Sequence, residues 1–194
     1  MNKKFVVRMM VGTLLMGTSV VSMAAANNVG SSQATISGSV VSPTCTVTSW
    51  PTDIRFDPVS VADYATLSHN SVIQNMQQGR FELENCPANT AMKYTVTAPH
   101  RAQGNAFQAL VQDASGKEVS GLALSFTAQS GGKSGYWYLD GSERGLGTTN
   151  AQGSLSIPAY AVLLKRGNNP APTVDGAVYS GNFSTVIQYS VSYD

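Results

Sequence analysis

The last twelve residues of the chain alternate between two kinds of side chain, as a β-strand with two different faces does. Successive side chains of a strand point to opposite sides. One side is aromatic or β-branched throughout, whereas the other is polar except for Val186. Chain ends usually fray, so a strand of this quality at the terminus raises the question of what it pairs with. The first side consists of Phe183, Thr185, Ile187, Tyr189, Val191 and Tyr193.

The rest of the chain predicts an all-β fold. Short runs of strand-forming residues are separated by clusters of Gly, Pro, Asn and Asp, and this spacing is typical of an antiparallel sandwich. The stretch 59–80 is the weakest for strand and favours a short helical turn or a loop crossing between sheets. We predict strands at 35–41, 45–47, 54–56, 79–86, 92–98, 109–112, 122–127, 135–139, 153–164 and 183–193.

Residues 1–26 have the pattern of a secretory signal peptide. Lys3, Lys4 and Arg8 precede a short apolar run, and small residues at Ala24 and Ala26 suit a cleavage site. We place cleavage after Ala26, with Ala24 as the alternative. A transmembrane anchor is the competing interpretation, but Gly and Thr interrupt the apolar run. Removal of residues 1–26 leaves 168 of the 194 residues, enough for one domain.

The exported chain is weakly acidic and poor in charge. Three of the twelve basic residues lie in residues 1–26, which leaves nine against eleven acidic ones. Nucleic-acid binding calls for a basic patch, so we expect no nucleic-acid partner. No later segment is apolar enough to predict a membrane span in the mature chain. Abundant Ser, Thr, Gly and Val fit an exported β protein.

The two cysteines, Cys45 and Cys86, predict a disulfide. An even cysteine count behind a signal peptide indicates an oxidising compartment. The alternative is a pair of separate buried thiols. In the chain-entropy model a loop of this length is worth about 4 kcal/mol.

The sequence contains no set of residues that argues for catalysis, a metal site or a cofactor. The two histidines, His69 and His100, have no ligand partners at metal spacing. Glycosidases use carboxylate pairs, but Glu82 and Glu84 alternate with apolar residues as on a half-exposed strand. Trp137 has two interpretations: core packing, or a surface contact that binds a receptor. We therefore expect no enzyme.

Three sequence patterns, taken in order, resemble those of one protein family. "GSVVSPTC" carries Gly38, Val40, Val41 and Cys45, and "SIPAYA" carries Ile157, Pro158 and Ala161. The chain then has a Gly fourteenth from its end and a Tyr next to last, at Gly181 and Tyr193. Together these patterns resemble a type 1-like pilus (fimbrial) subunit of the chaperone–usher pathway, and the resemblance covers nearly all of the mature chain.

The resemblance implies an incomplete immunoglobulin-like β-sandwich that lacks its final strand. It also implies partners: a periplasmic chaperone that lends a strand, an outer-membrane usher, and neighbouring subunits in a fimbria that supports cell adhesion outside the cell. A minor adaptor or tip subunit with its own receptor-binding loops is the alternative. On this basis the strand beside the missing one consists of Gly181 with Phe183, Thr185, Ile187, Tyr189, Val191 and Tyr193.

The resemblance further implies that residues 27–37 form an N-terminal extension, ahead of a pilin domain at 38–194. Such an extension donates a strand to a neighbouring subunit. One register places Asn28, Gly30, Ser32, Ala34 and Ile36 on the donated face. Ile36 is the only large apolar side chain in this register. The opposite register, Val29 to Thr35, is less apolar, and a polar tail without a partner is the remaining alternative.

Overall fold

A computed structural model describes Ser37 and residues 44–194 of the chain. The predicted signal peptide, the predicted strand at 35–41 apart from Ser37, and the five donor residues Asn28, Gly30, Ser32, Ala34 and Ile36 lie outside the described residues. The start of the predicted 38–194 domain does as well.

The described chain forms two antiparallel sheets. One contains β1, β2, β7 and β5 in that order, and β5 continues the sheet through β4 on one path and through β8 and β9 on another. The other has the order β10, β3, β6. The elements are β1 Thr46–Ser49, α1 Val61–Thr66, β2 Val72–Glu84, β3 Ala91–Thr97, β4 Ala109–Gln112, β5 Glu118–Thr127, β6 Arg144–Thr148, β7 Leu155–Lys165, β8 Thr173–Val174, β9 Ala177–Val178 and β10 Gln188–Ser192.

Strand β5 is the centre of the larger sheet, and its sequence explains why. Every residue from Gly121 to Thr127 is buried, so the strand is covered on both faces and is apolar almost continuously. The two polar side chains of this buried stretch are hydrogen-bonded, as burial requires. Ser125 Oγ donates to the carbonyl of Phe107 at 2.7 Å, and Thr127 Oγ1 donates to that of Ser134 at 2.9 Å.

The predicted strands are largely confirmed, although the predicted strand 183–193 is regular only at Gln188–Ser192. Residues 54–56 join no ladder, and 135–139 pairs through one bridge only, at Tyr136. Strand β2 begins seven residues before its predicted start, inside the ambiguous stretch. That stretch also holds α1, whose N-cap Ser60 accepts from the backbone N–H of Asp63. Sequence patterns missed the two-residue strands β8 and β9. They also missed β6, because its glycines are poor strand formers.

The predicted disulfide is present, since Cys45 and Cys86 are bonded across a separation of 41 residues. It ties the chain just before β1 to the end of β2. Trp137 is 6% exposed and packs with Phe81 and Tyr94, at ring-centroid distances of 5.6 and 5.7 Å. The core interpretation of Trp137 is therefore right, and its role as a surface receptor contact is wrong.

Candidate functional site

An open groove runs between two extended segments of the domain. Its cavity has a volume of about 770 Å³ and lies between residues 51–61 and residues 179–189. Apolar side chains of the larger sheet form its floor. The floor consists of Leu122, Leu124 and Phe126 of β5 and Ala161 of β7.

The first wall, residues 51–61, is held to β2 by hydrogen bonds that do not form a ladder. The backbone N–H and the hydroxyl of Thr52 both donate to the carbonyl of Gln78, at 2.7 and 3.1 Å. The side-chain amide of Gln74 bonds both the N–H and the carbonyl of Asp57, at 3.0 and 2.9 Å. Ile54 and Phe56 pack against the core. The wall is thus fixed, although it is not a regular strand.

The second wall, residues 179–189, keeps the alternation that the sequence predicts. Odd-numbered residues from Phe183 to Tyr189 are half-buried, and the even-numbered ones between them are exposed. One bridge joins Ser184 to Gln112 of β4, and regular pairing with β3 begins only at Gln188. The described residues supply no partner strand on the groove side of this wall.

The structure brings five of the seven predicted groove residues to the cavity. They are Gly181, Phe183, Thr185, Ile187 and Tyr189. Val191 of β10 pairs with Tyr94 of β3, and Tyr193 is 40% exposed at the end of the chain. Both lie beyond the cavity lining. Contact of this set with a chaperone remains a prediction.

A β-bulge turns one polar side chain into the groove. Gln77 pairs with Tyr160 and Gly79 with Ala159, so Gln78 is the extra residue on β2. A bulge of this kind re-aims a side chain, and Gln78 is accordingly 9% exposed and lines the cavity. Gly79 has a φ of +106°, a conformation that favours glycine.

Gln78 forms a hydrogen bond with the most aromatic part of the groove. The Tyr189 hydroxyl donates to Gln78 Oε1 at 2.8 Å. Burial raises the pKa of the Tyr189 phenol far above its ordinary value, so this hydroxyl stays protonated. Thr185 Oγ1 is buried without a hydrogen-bond partner among the described residues. The groove therefore presents the hydroxyl groups of Tyr189 and Thr185 beside its apolar floor.

The opposite end of the groove is held by a buried lysine. Lys165 is 2% exposed, and its Nζ donates to the carbonyls of Tyr64 and Leu67 at 3.1 and 2.8 Å, at the end of α1. The same Nζ lies 4.5 Å from the centre of the Tyr64 ring. The Tyr64 hydroxyl in turn donates to the carbonyl of Gly121 at 2.8 Å. This set of contacts fixes α1 against β5, beside the floor.

The groove has the features of a binding site for an extended peptide, because it combines an apolar floor with an unpaired wall edge. Among the described residues, no group of three or more His, Cys, Asp or Glu side chains could hold a metal ion. In the same part of the chain, no helix has the length and apolarity that a bilayer crossing requires. Sequence reasoning missed the first wall as a site element and missed Gln78. The alternation of Ile54 and Phe56 was the available signal for the wall.

Comparison with known proteins addresses the fold. No protein-family model matches the chain, and no curated protein matches it by sequence. Solved structures do match. The chain is similar to a subunit in a structure of a chaperone–usher pilus that concerns uncoiling of the rod, with 21% identity and a TM-score of 0.54 over 85% of this chain and 96% of that one. It is also similar to the crystal structure of the P pilus rod subunit PapA, with 21% identity and a TM-score of 0.55 over 77% of this chain and 99% of that one.

The chain has the fold of a pilus rod subunit. The predicted fold class, an incomplete immunoglobulin-like sandwich, is therefore confirmed. The resemblance to the pilus subunit family, on which that prediction rested, is confirmed at the level of the fold. In this pilin-like fold the groove lies next to β10, where the prediction placed the missing strand.

Proposed function

We propose that this chain is a structural subunit of a chaperone–usher pilus and polymerises by donor-strand exchange. The observation that carries the proposal is the groove between residues 51–61 and 179–189, with its apolar floor and an edge that the described residues leave unpaired. An apolar groove beside a bare strand edge invites aggregation. A strand from another polypeptide, laid beside residues 179–189, would pair the edge and cover the floor.

The similar structures are subunits of pilus rods, which supports a role in assembly over one in catalysis. We propose that the protein is not an enzyme. Its partners are then neighbouring subunits, a periplasmic chaperone that protects the groove during export, and an outer-membrane usher. Its location is the extracellular fimbria, where it supports cell adhesion. The predicted signal peptide gives the route of export.

Deletion of residues 27–36 tests the proposal. The truncated chain retains the groove and loses the donor strand. We expect it to form the same complex with its chaperone as the complete chain does, and to fail to add to a second subunit. Co-purification from the periplasm measures the first property, and size-exclusion chromatography after chaperone release measures the second.

A chain in which residues 27–36 are replaced by ten Gly and Ser residues is the matched control for length. It should behave as the deletion does, because it contains no apolar side chain to bury. Polymerisation of either variant would show that another segment is the donor.

A further inference from the structure

We propose that a second cavity, on the face of the larger sheet that points away from the groove, binds a single sugar residue that carries a carboxylate. This outer cavity has a volume of about 250 Å³. The buried side chains of Ser125 on β5 and Leu164 on β7 form its floor, and loops that contain residues 70, 105–108 and 133–136 surround it. The inference goes beyond the proposed function, which assigns no ligand to this cavity.

The outer cavity and the groove lie on opposite faces of the larger sheet. Leu124 and Phe126 of β5 line the groove, and Ser125 between them lines the outer cavity. On β7, Ala161 lines the groove and Leu164 lines the outer cavity. Successive side chains of a strand point to opposite faces, so this division follows from the strand geometry. A strand bound in the groove would therefore leave the outer cavity accessible.

The glycine-rich loop after β5 has a defined shape where it crosses the outer face of the sheet. Gly132 has a φ of +61°, and a Cβ atom there would lie 3.0 Å from both Asn75 Cγ and Val162 Cγ2. This combination of backbone conformation and close approach requires glycine. The Tyr136 hydroxyl donates to the carbonyl of Gly132 at 2.7 Å and so closes the loop. Lys133, which lines the outer cavity, is therefore placed there by a loop with fixed contacts.

Three amide side chains line the outer cavity, those of Asn70, Asn105 and Gln108. Gln108 is only 7% exposed, and its Nε2 donates to Asn70 Oδ1 at 3.3 Å. Asn105 Oδ1 accepts from the backbone N–H of Phe107 at 2.9 Å. These two bonds hold the three amides in place and use one polar atom of each. An amide carries both a donor and an acceptor, so the other end of each amide can bind a ligand.

Two aromatic side chains supply most of the apolar lining. Phe107 and Tyr136 are both half-buried and line the outer cavity. The Phe107 ring lies 4.4 Å from the Tyr138 ring, centroid to centroid, and the Arg144 guanidinium lies 4.2 Å from the centre of the Tyr138 ring. These contacts restrict the Phe107 ring. The outer cavity thus combines apolar ring surfaces with amides and an ammonium group.

This lining matches the chemistry of a sugar with an acid group. A sugar ring has hydroxyl groups on its rim, which donate and accept hydrogen bonds, and C–H groups that pack on apolar surface. Amide side chains also donate and accept, and ligand sites combine a few such polar groups with aromatic surface. Lys133 is exposed and forms no ion pair with another described residue. Its ammonium can therefore bind a carboxylate.

Other classes of ligand fit the outer cavity less well. A purely apolar ligand would remove the three amides from water without replacing their hydrogen bonds. Phosphate groups are typically held by arginine forks or by several backbone N–H groups, whereas Lys133 is the one basic side chain among the described residues of the lining. The volume of about 250 Å³ is smaller than the roughly 300–1,000 Å³ of sites for drug-sized ligands, which favours one ring over an oligosaccharide.

Binding of two pairs of methyl glycosides tests the proposal. The acidic probes are methyl glucuronide and methyl galacturonide, and each is compared with its neutral parent, methyl glucoside or methyl galactoside. Titrations of the exported full-length chain by saturation-transfer difference NMR give the dissociation constants. At least one acidic probe should bind about tenfold more tightly than its neutral parent, because only the acid pairs with Lys133. Monomers and polymers of the chain both serve, since the outer cavity lies away from the groove.

Substitution Lys133→Gln should remove the preference for the acid, so that the acidic and neutral probes bind within about twofold of each other. Lys117→Gln is the matched control, because Lys117 is also an exposed lysine and pairs with Asp175. It lies just before β5 begins, roughly 26 Å from Ser125 along the strand. Exposed ion pairs contribute little to stability, so this variant should bind both probes as the unchanged chain does.

Substitution Asn105→Asp tests the amides separately from the lysine. Asp retains an oxygen that can accept from the Phe107 N–H, so the loop keeps its bond, but a second oxygen replaces the Nδ2 donor. Affinity for the acidic and for the neutral probe should each fall at least about fivefold. The urea midpoint of the variant checks that it folds. This substitution keeps the test decisive if Lys133→Gln changes the shape of the loop.

The inference is wrong if neither acidic probe binds the unchanged chain. It is also wrong if the Lys133→Gln chain keeps its preference for the acid, or if Asn105→Asp binds both probes as tightly as the unchanged chain does. None of these outcomes bears on the proposed function, because size-exclusion chromatography measures polymerisation, which depends on the opposite face of the sheet. Sugar binding by a chain that does not polymerise would conversely overturn only the proposed function.

Discussion

The interior of the sandwich is filled on one side of Tyr189 and open on the other. On the filled side, Trp137 and Phe81 pack edge to face with the Tyr189 ring, at centroid distances of 6.4 and 5.6 Å. On the open side, Leu122 and Leu124 line the groove. The same larger sheet contributes to both regions. The difference therefore lies in what covers the sheet.

The filled side is covered by a segment that returns across the sheet. Residues 135–139 are tied to β5 by the Trp137 N–H, which donates to the carbonyl of Phe126 at 2.7 Å, and they bring Trp137 and Leu139 into the core. On the open side the described chain provides two walls and no cover. Among the described residues, the core is complete only where a covering strand or strap lies over the sheet.

Truncation of one side chain in each region should have the largest effect and test this comparison directly. Trp137→Ala leaves a cavity among fixed neighbours and should cost about 3–5 kcal/mol of unfolding free energy. Leu124→Ala removes a side chain that already lines an open groove and should cost about 2 kcal/mol, the low end for such changes. Urea unfolding of the exported chain, followed by circular dichroism, measures both. Equal losses would mean that the groove is packed as tightly as the core.

Periodicity predicted most of the fold, because strand alternation is a local property of the sequence. It identified β3, β4 and the buried end of β5 nearly to the residue, and it identified the alternating wall from Phe183 to Tyr189. It failed where contacts distant in sequence decide. Residues 54–56 look like a strand, but they are fixed by Gln74 and Gln78 and not by a ladder.

The candidate site was only half predictable for the same reason. The C-terminal wall was found from its own alternation, without knowledge of the first wall. Gln78 was missed because it is the extra residue of a β-bulge, and a bulge depends on how β2 pairs with β7. The assignment of Trp137 to the core required its neighbours Phe81 and Tyr94, which lie far away in sequence.

Tyr189 lies between the filled and the open region, and the titration of its phenol should show whether water reaches its hydroxyl group. Its pKa is raised by burial, whereas the phenol of an unfolded chain titrates near pH 10. Above about pH 10 the unfolded state releases this proton first, so folding stability falls as pH rises. The Tyr189→Phe variant has no phenol proton at this position, so it lacks this contribution to the pH dependence of stability.

The Phe variant should be less stable than the unchanged protein by about 1 kcal/mol at pH 8, because Gln78 loses a hydrogen bond. The difference should shrink as pH rises above about 10. Urea unfolding of both proteins between pH 8 and 11 measures it. The buried tyrosines common to both proteins cancel in the difference. A constant difference across this range would place the Tyr189 hydroxyl in contact with water.

The charged end of the C-terminal strand should contribute least, because it lies outside both regions. Lys93 Nζ lies 2.5 Å from Asp194 Oδ2 and 3.3 Å from Glu143 Oε2. The hydrogen bonds to these carboxylates, that of Asp194 first, raise the pKa of Lys93. Asp194 is nonetheless 86% exposed, and water and salt screen such pairs. Asp194→Asn should therefore leave the urea midpoint unchanged within error at 0.15 M salt. A clear loss would show that the strand depends on its charged tip and not on the inward residues that separate the filled core from the groove.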